Sequence, residues 1–196
     1  MADMVDRRLF AELASRRSEE VVMPNYCEYR EDEKCYLVHA WNGSYAIYPE
    51  QELIEPLHGT PEPHSYFCVF LVNYLLAEKA LKPSGQWISE KDLVGGVTFF
   101  RGPHKIPTEL ISDVYANDLE SLKQQCSMLN GTPLDMADCS FSFEIIGSIR
   151  IALLYWRGDE DFPAEAKLLI DSSVADSLRL DVVYGLLSDA CARLAK

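Results

Sequence analysis

Between Tyr66 and Ala77 only Asn73 is strongly polar, so a helix laid over this run has no face that water would solvate. A helix that is apolar all round belongs inside a protein or a membrane. A membrane span takes about 20 residues, and this run is only a dozen. The stretch Pro63–Ala80 therefore predicts a buried helix with other elements packed round it. Upstream, Val5, Leu9, Phe10, Leu13 and Ala14 recur at helical spacing within Asp3–Arg17, which predicts an amphipathic helix ended by Ser18–Pro24. From Tyr26 the period changes to two. Tyr26–Arg30, Cys35–Trp41 and Ser44–Tyr48 read as strands, joined by the charged turn 31–34 and by Asn42-Gly43, a strong hairpin signal. Alternation places Leu37, His39 and Trp41 on one face and Tyr36, Val38 and Ala40 on the other.

Thr60 is placed to cap the central helix with Pro61 at its first position, and Pro83-Ser84-Gly85 is turn chemistry that stops it. Ser89 and Asp92 have capping-box spacing. Gly95-Gly96 breaks that turn, Val97–Phe100 reads as a short strand and Arg101–Pro107 as a loop. Thr108–Asn130 is expected to be the longest helix, burying Leu110, Val114, Leu122, Cys126 and Leu129, with Gly131 ending it. Phe141, Phe143 and Ile145 alternate, Gly147-Ser148 fits a hairpin turn, and Ile149–Trp156 is apolar enough for a central strand with Lys167–Ile170 as its partner. Asp171 or a nearby Ser caps a helical turn, and Asp181–Leu194 closes the chain with Val182, Val183, Leu186, Leu187 and Leu194 inward. The order predicts an α+β fold. One domain over residues 1–196 holds an antiparallel β-meander and a second antiparallel hairpin or sheet around the buried helix. Amphipathic helices lie outside, the first (residues 1–20) at the periphery.

The 196 residues are 48% apolar and carry a formal charge of −13. Such a surface repels phosphate backbones and anionic membranes, so neither nucleic acid nor membrane is expected as a partner. The N-terminus has acids where a signal peptide has bases, which points to the cytoplasm. Six cysteines are then expected to be reduced. None has C-x-x-C spacing, against a zinc ribbon, a thioredoxin-type motif or a local iron–sulfur site. Cys68 and Cys191 read as packing residues.

Several segments, in order, resemble the bacterial and archaeal domain of unknown function numbered 3786. They are Leu71-Val72-Asn73-Tyr74-Leu75-Leu76, Ser84-Gly85-Gln86-Trp87-Ile88-Ser89, Leu93-Val94-Gly95-Gly96, the run from Tyr155 to Ala164, and Leu168-Leu169-Ile170-Asp171-Ser172-Ser173. The resemblance extends from about Tyr26 to the C-terminus. It implies an anaerobe-associated protein near corrinoid, haem-type tetrapyrrole or iron–sulfur chemistry. Some members carry a four-cysteine iron–sulfur module that this chain lacks. No activity transfers with it.

Among candidate sites, Asp159, Glu160 and Asp161 could hold a hard cation, although calcium loops space their ligands; otherwise they form a solvated acidic loop. Trp87 and Trp156 could stack on a flat ligand or cover the core edge. Phe100, Arg101 and His104, with Arg157, could complete a cleft for an anionic ligand, Arg101–Lys105 being the only basic patch. His39, His58 and His64 lack partners at metal-ligand spacing. There is no Gly-x-Ser-x-Gly elbow and no phosphate-binding loop. The reading is an accessory or ligand-binding domain, with an unidentified protein or small molecule as partner, more a binder than an enzyme. The rivals are a metal-dependent enzyme using Asp159–Asp161 and a structural interaction protein.

Overall fold

The computed structural model describes residues 4–22, 24, 26–79, 82–147 and 149–196, with Asp176 described by its backbone alone. The expectations that fall on Asp3, Ala80 and Ser148 lie outside the described residues. Helix α1 (Arg7–Ser15) begins at Asp6, whose carboxylate accepts from the Arg8 N–H, and buries Phe10 and Leu13. Where the sequence predicts only a stop, Ser18–Val22 forms a second short helix, α2.

The first sheet is the antiparallel meander β1 (Cys27–Arg30), β2 (Cys35–Ala40), β3 (Gly43–Tyr48) and β4 (Leu53–Leu57), in that spatial order. The fourth strand is not apparent from sequence, because Pro56 interrupts its pattern; β4 is an edge, where proline is tolerated. Ala40 pairs with Gly43, so the turn residues are Trp41 and Asn42, one position earlier than expected. Trp41 takes φ 55°, which swings it out of the alternation that would have set it beside Leu37 and His39. Its ring instead joins the main core, 5.7 Å from Phe143, and its backbone N–H donates to the Ile145 carbonyl at 2.7 Å. One strained turn residue thus couples the two sheets.

The apolar run forms α3 (Ser65–Leu75), with Phe67, Cys68, Phe70, Leu71, Val72, Tyr74 and Leu75 buried. Asn73 is half-buried and donates to the Val69 carbonyl at 2.8 Å, so its amide is satisfied within the helix. The cap is His64, whose Nδ1 accepts from the Tyr66 N–H at 3.3 Å. Thr60, expected in that role, instead accepts from the Ser44 N–H at 2.9 Å and ties the helix entry to β3.

The strand β5 (Trp87–Ile88) follows, then α4 (Gly96–Phe99), a single helical turn where a strand is expected. Gly95 at φ 79° reverses the chain, and a Cβ on Gly96 would lie 2.2 Å from the Glu90 carbonyl oxygen, so the reversal needs both glycines. The long helix expected over Thr108–Asn130 is two: α5 (Glu109–Tyr115) and α6 (Leu119–Met128). Ala116 at φ 45° breaks it, Tyr155 donates its hydroxyl to the Ala116 carbonyl at 2.7 Å, and Asp118 caps α6. The break re-aims the first half. Ile111 and Tyr115 are buried, whereas Leu110 and Val114, expected inward, are 45% and 53% exposed.

The second sheet adds β6 (Thr132–Pro133), β7 (Cys139–Ile146), β8 (Ile149–Trp156) and β9 (Glu165–Asp171), in the antiparallel order β5-β9-β8-β7-β6. The chain closes with α7 (Leu180–Leu194), the longest helix, packed on α3 so closely that a Cβ on Gly185 would lie 2.8 Å from the Tyr66 carbonyl oxygen. The architecture is α+β, two antiparallel sheets with helices packed round a central one. Inside it α7 buries a charged pair. Arg193 Nε donates to Asp189 Oδ2 at 2.6 Å and Nη2 to the Tyr45 hydroxyl at 3.0 Å, with the guanidinium over the Trp41 and Phe67 rings. Burial pushes the Asp189 carboxyl up, against the pull of the adjacent guanidinium.

Candidate functional site

Strand β9 ends on Asp171, which is 1% exposed. Its Oδ1 accepts from the Ser84 N–H, the Ser84 hydroxyl and the Ser173 N–H, and its Oδ2 from the Gly85 N–H, each at 2.9 Å. Burial would raise this carboxyl, but the hydrogen bonds from Ser173 and Ser84 overcome it and hold it well below the usual carboxylate range. Ser172 adds two links, from its N–H to the Gln86 carbonyl and from its hydroxyl to the Ser84 oxygen, both at 2.8 Å. A loop far away in sequence therefore hangs on one carboxylate. The short strand it leads into pairs Trp87 with Asp171 and Ile88 with Ile170.

Because β5 is only two residues long, the Glu165–Leu168 part of β9 has no partner strand on that side among the described residues. An open groove of about 450 Å³ runs there, between Ser89–Lys91, the Phe100–Ser112 region and Ala164–Leu168. The Ser89 capping box shapes one wall: the Ser89 N–H donates to Asp92 Oδ2 at 2.8 Å and the Lys91 N–H to Ser89 Oγ at 3.3 Å. Phe100, Ile106 and Leu168, all buried, supply its apolar part. Its charged lining mixes Lys91, Lys105 and Lys167 with Glu90, Glu109 and Glu165. Lys105 pairs with Glu109 at 3.3 Å; Lys91 and Lys167 are exposed and unpaired among the described residues.

Of the residues singled out from sequence, Phe100 lines this groove. Arg101 and His104 lie exposed in the loop that leads to Lys105. Arg101 Nε donates back to the Val97 carbonyl, and the His104 ring stacks on Phe99 at 4.5 Å with Tyr184 edge-on at 5.4 Å. Trp87 and Trp156 both pack, half-buried, on the small cluster of Ala152, Leu154 and Leu169, but beside opposite ends of β9, since Trp87 pairs with Asp171 and Trp156 with Glu165. Arg157 is held by Asp138, which accepts its backbone N–H at 3.0 Å and faces its Nε at 3.7 Å.

Asp159 spends Oδ1 on its own turn, accepting from the Asp161 and Phe162 N–H groups at 2.9 and 2.8 Å, and these bonds lower its pKa. Glu160 and Asp161 are exposed beside it. Among the described residues no group of three or more His, Cys, Asp or Glu side chains could hold a metal ion. No helix of the described residues is long and apolar enough to cross a membrane. All six cysteines are free thiols; burial pushes Cys27, Cys126 and Cys191 up to about 12 and Cys68 to about 11.

Sequence reasoning missed the organising role of Asp171 and, of the groove's lysines, Lys91 and Lys167; Lys105 belongs to the basic patch singled out from sequence. The Asp171-Ser172-Ser173 cap and the Ser84-Gly85 turn are each visible as local signals; nothing local says that they meet.

A family model described as a domain of unknown function (DUF3786) matches residues 19–193, and the chain belongs to that family. No curated protein and no solved structure matches it.

Proposed function

We propose that this member of the family is a non-catalytic accessory domain that holds a ligand in the groove along the free edge of β9, in the service of corrinoid, tetrapyrrole or iron–sulfur metabolism. The observation that carries the reading is a convergence. Ser84–Ser89, the Tyr155–Ala164 run and Leu168–Ser173, three of the segments behind the family resemblance, meet round β5 and β9. Packing alone does not require a buried carboxylate to fasten a loop beside an open groove, whereas a binding wall held in place does. Buried Phe100, Ile106 and Leu168 offer a ring system an apolar seat, and unpaired Lys91 and Lys167 offer carboxylates a cationic rim. The ligand class comes from the family likeness.

The test is titration of the full chain with cobalamin, haemin and Mg²⁺, followed by absorbance and melting temperature. The expected result is a saturable response to a tetrapyrrole or corrinoid that is weakened in the Lys91→Glu/Lys167→Glu double variant. No response to any of the three, or a response that the double variant leaves unchanged, overturns the proposal.

A further inference from the structure

Next to this groove lies a second, which shares Ser112 and Ala164 with it but has a different chemistry. It is an open depression of about 400 Å³ between Ser112–Asn117 and the acidic loop Gly158–Ala164. Phe162 lines it and is 71% exposed, an unusual place for an aromatic ring that could have turned inward. Asp113 and Asp159 line it too, and no basic residue does. Neither carboxylate is ion-paired among the described residues, and Asp159 keeps Oδ2 outside its turn.

The loop that presents Phe162 is anchored at Gly158 and closed on itself. Gly158 donates its N–H to Asn117 Oδ1 at 2.8 Å, and Asn117 Nδ2 donates back to the Gly158 carbonyl at 3.2 Å. The Asp159 N–H closes the turn on the Phe162 carbonyl at 2.8 Å. A Cβ on Gly158 would lie 2.7 Å from the Ala164 nitrogen, so the chain doubles back tightly here. The ring is thus offered to solvent by a fixed scaffold.

We propose that this depression docks an arginine- or lysine-bearing segment of a partner protein, with the cationic head over the Phe162 ring and within reach of the Asp113 and Asp159 carboxylates. An aromatic face attracts a cation, and two unpaired carboxylates in a depression without bases supply the complementary charge. The net charge of −13 draws basic partners towards the whole surface, and this depression is where an exposed ring adds a specific contact. Docking here needs no ligand in the groove along β9, so either reading can fail alone.

The test uses the full chain and a fluorescein-labelled peptide of alternating glycine and arginine, read by anisotropy at low salt. The wild type binds. Phe162→Ser weakens binding by about two- to fivefold, the range expected of one exposed cation–aromatic contact. Asp113→Asn weakens it as well. The charge-matched remote variant Glu31→Gln, in the β1–β2 turn, leaves it unchanged. ¹H–¹⁵N spectra of the wild type show peptide-induced shifts at residues 112–117 and 158–164. Absence of binding, or equal weakening by the remote variant, overturns the proposal, as do shifts elsewhere alone.

Discussion

Asp171→Asn should loosen the fold by detaching the loop that leads into β5. Three of the four hydrogen bonds to this carboxylate land on Oδ1 and one on Oδ2. An asparagine oxygen in the Oδ1 position keeps three acceptor contacts without their charge. Its NH₂ then faces the Gly85 N–H, donor against donor. A hydrogen bond to a charged group contributes about 1.5–3 kcal/mol and a neutral one about 1 kcal/mol. Gly85 is exposed and can turn to water, which keeps the cost at about 2–4 kcal/mol. For a chain of this size that is a fall in melting temperature of roughly 5–15 °C. Acid should erase the difference. Asp171 binds its proton more weakly folded than unfolded, so its contribution is whole above the unfolded pKa of about 4 and is lost as pH falls through the lower folded value. Urea unfolding followed by circular dichroism, at a series of pH values from neutral downwards, measures both. A variant within about 0.5 kcal/mol of wild type at neutral pH would refute the reasoning. So would a gap that does not narrow in acid.

Arg193→Met should cost about 3–5 kcal/mol in the same assay, because it strands Asp189 in the core, and Arg193→Met/Asp189→Leu should recover much of that. Gly185→Ala should lose about 1–3 kcal/mol as the new methyl meets the Tyr66 carbonyl, visible as a lowered urea midpoint with unchanged slope. At pH 8, with an aromatic disulfide reagent, Cys27, Cys68, Cys126 and Cys191 should stay unreactive in the folded chain and react once urea unfolds it, since burial holds their pKa at about 11–12.

The central helix was legible because its signal is local: no arrangement of Tyr66–Ala77 on a helix leaves a polar face. The first three strands of the meander, the closing helix and the capping box at Ser89 were legible for the same reason. The break at Ala116 was not. Leu110 and Val114 have good helical spacing, and a positive φ at alanine is imposed by the contacts of the break, including Tyr155 on its carbonyl, rather than by local propensity. Trp41 defeated the alternation rule because a turn residue takes its direction from its φ, not from strand parity. Phe100, singled out from sequence, lines the groove, and Trp87 does not. The facing of Trp87 and Trp156 to the other side of the sheet was not legible, because it depends on which strands become neighbours. Asp171 shows the general point: its partners Ser84 and Gly85 lie 87 and 86 residues away, and pairings of that range leave no periodic trace.

The most direct measurement is hydrogen exchange by mass spectrometry on the full chain, alone and with saturating haemin or, separately, cobalamin. The account predicts that one of them slows exchange in Ser84–Lys91 and Ala164–Leu168 and leaves β1 to β4 unchanged. Slowing confined to other segments, or none with either compound, would contradict it.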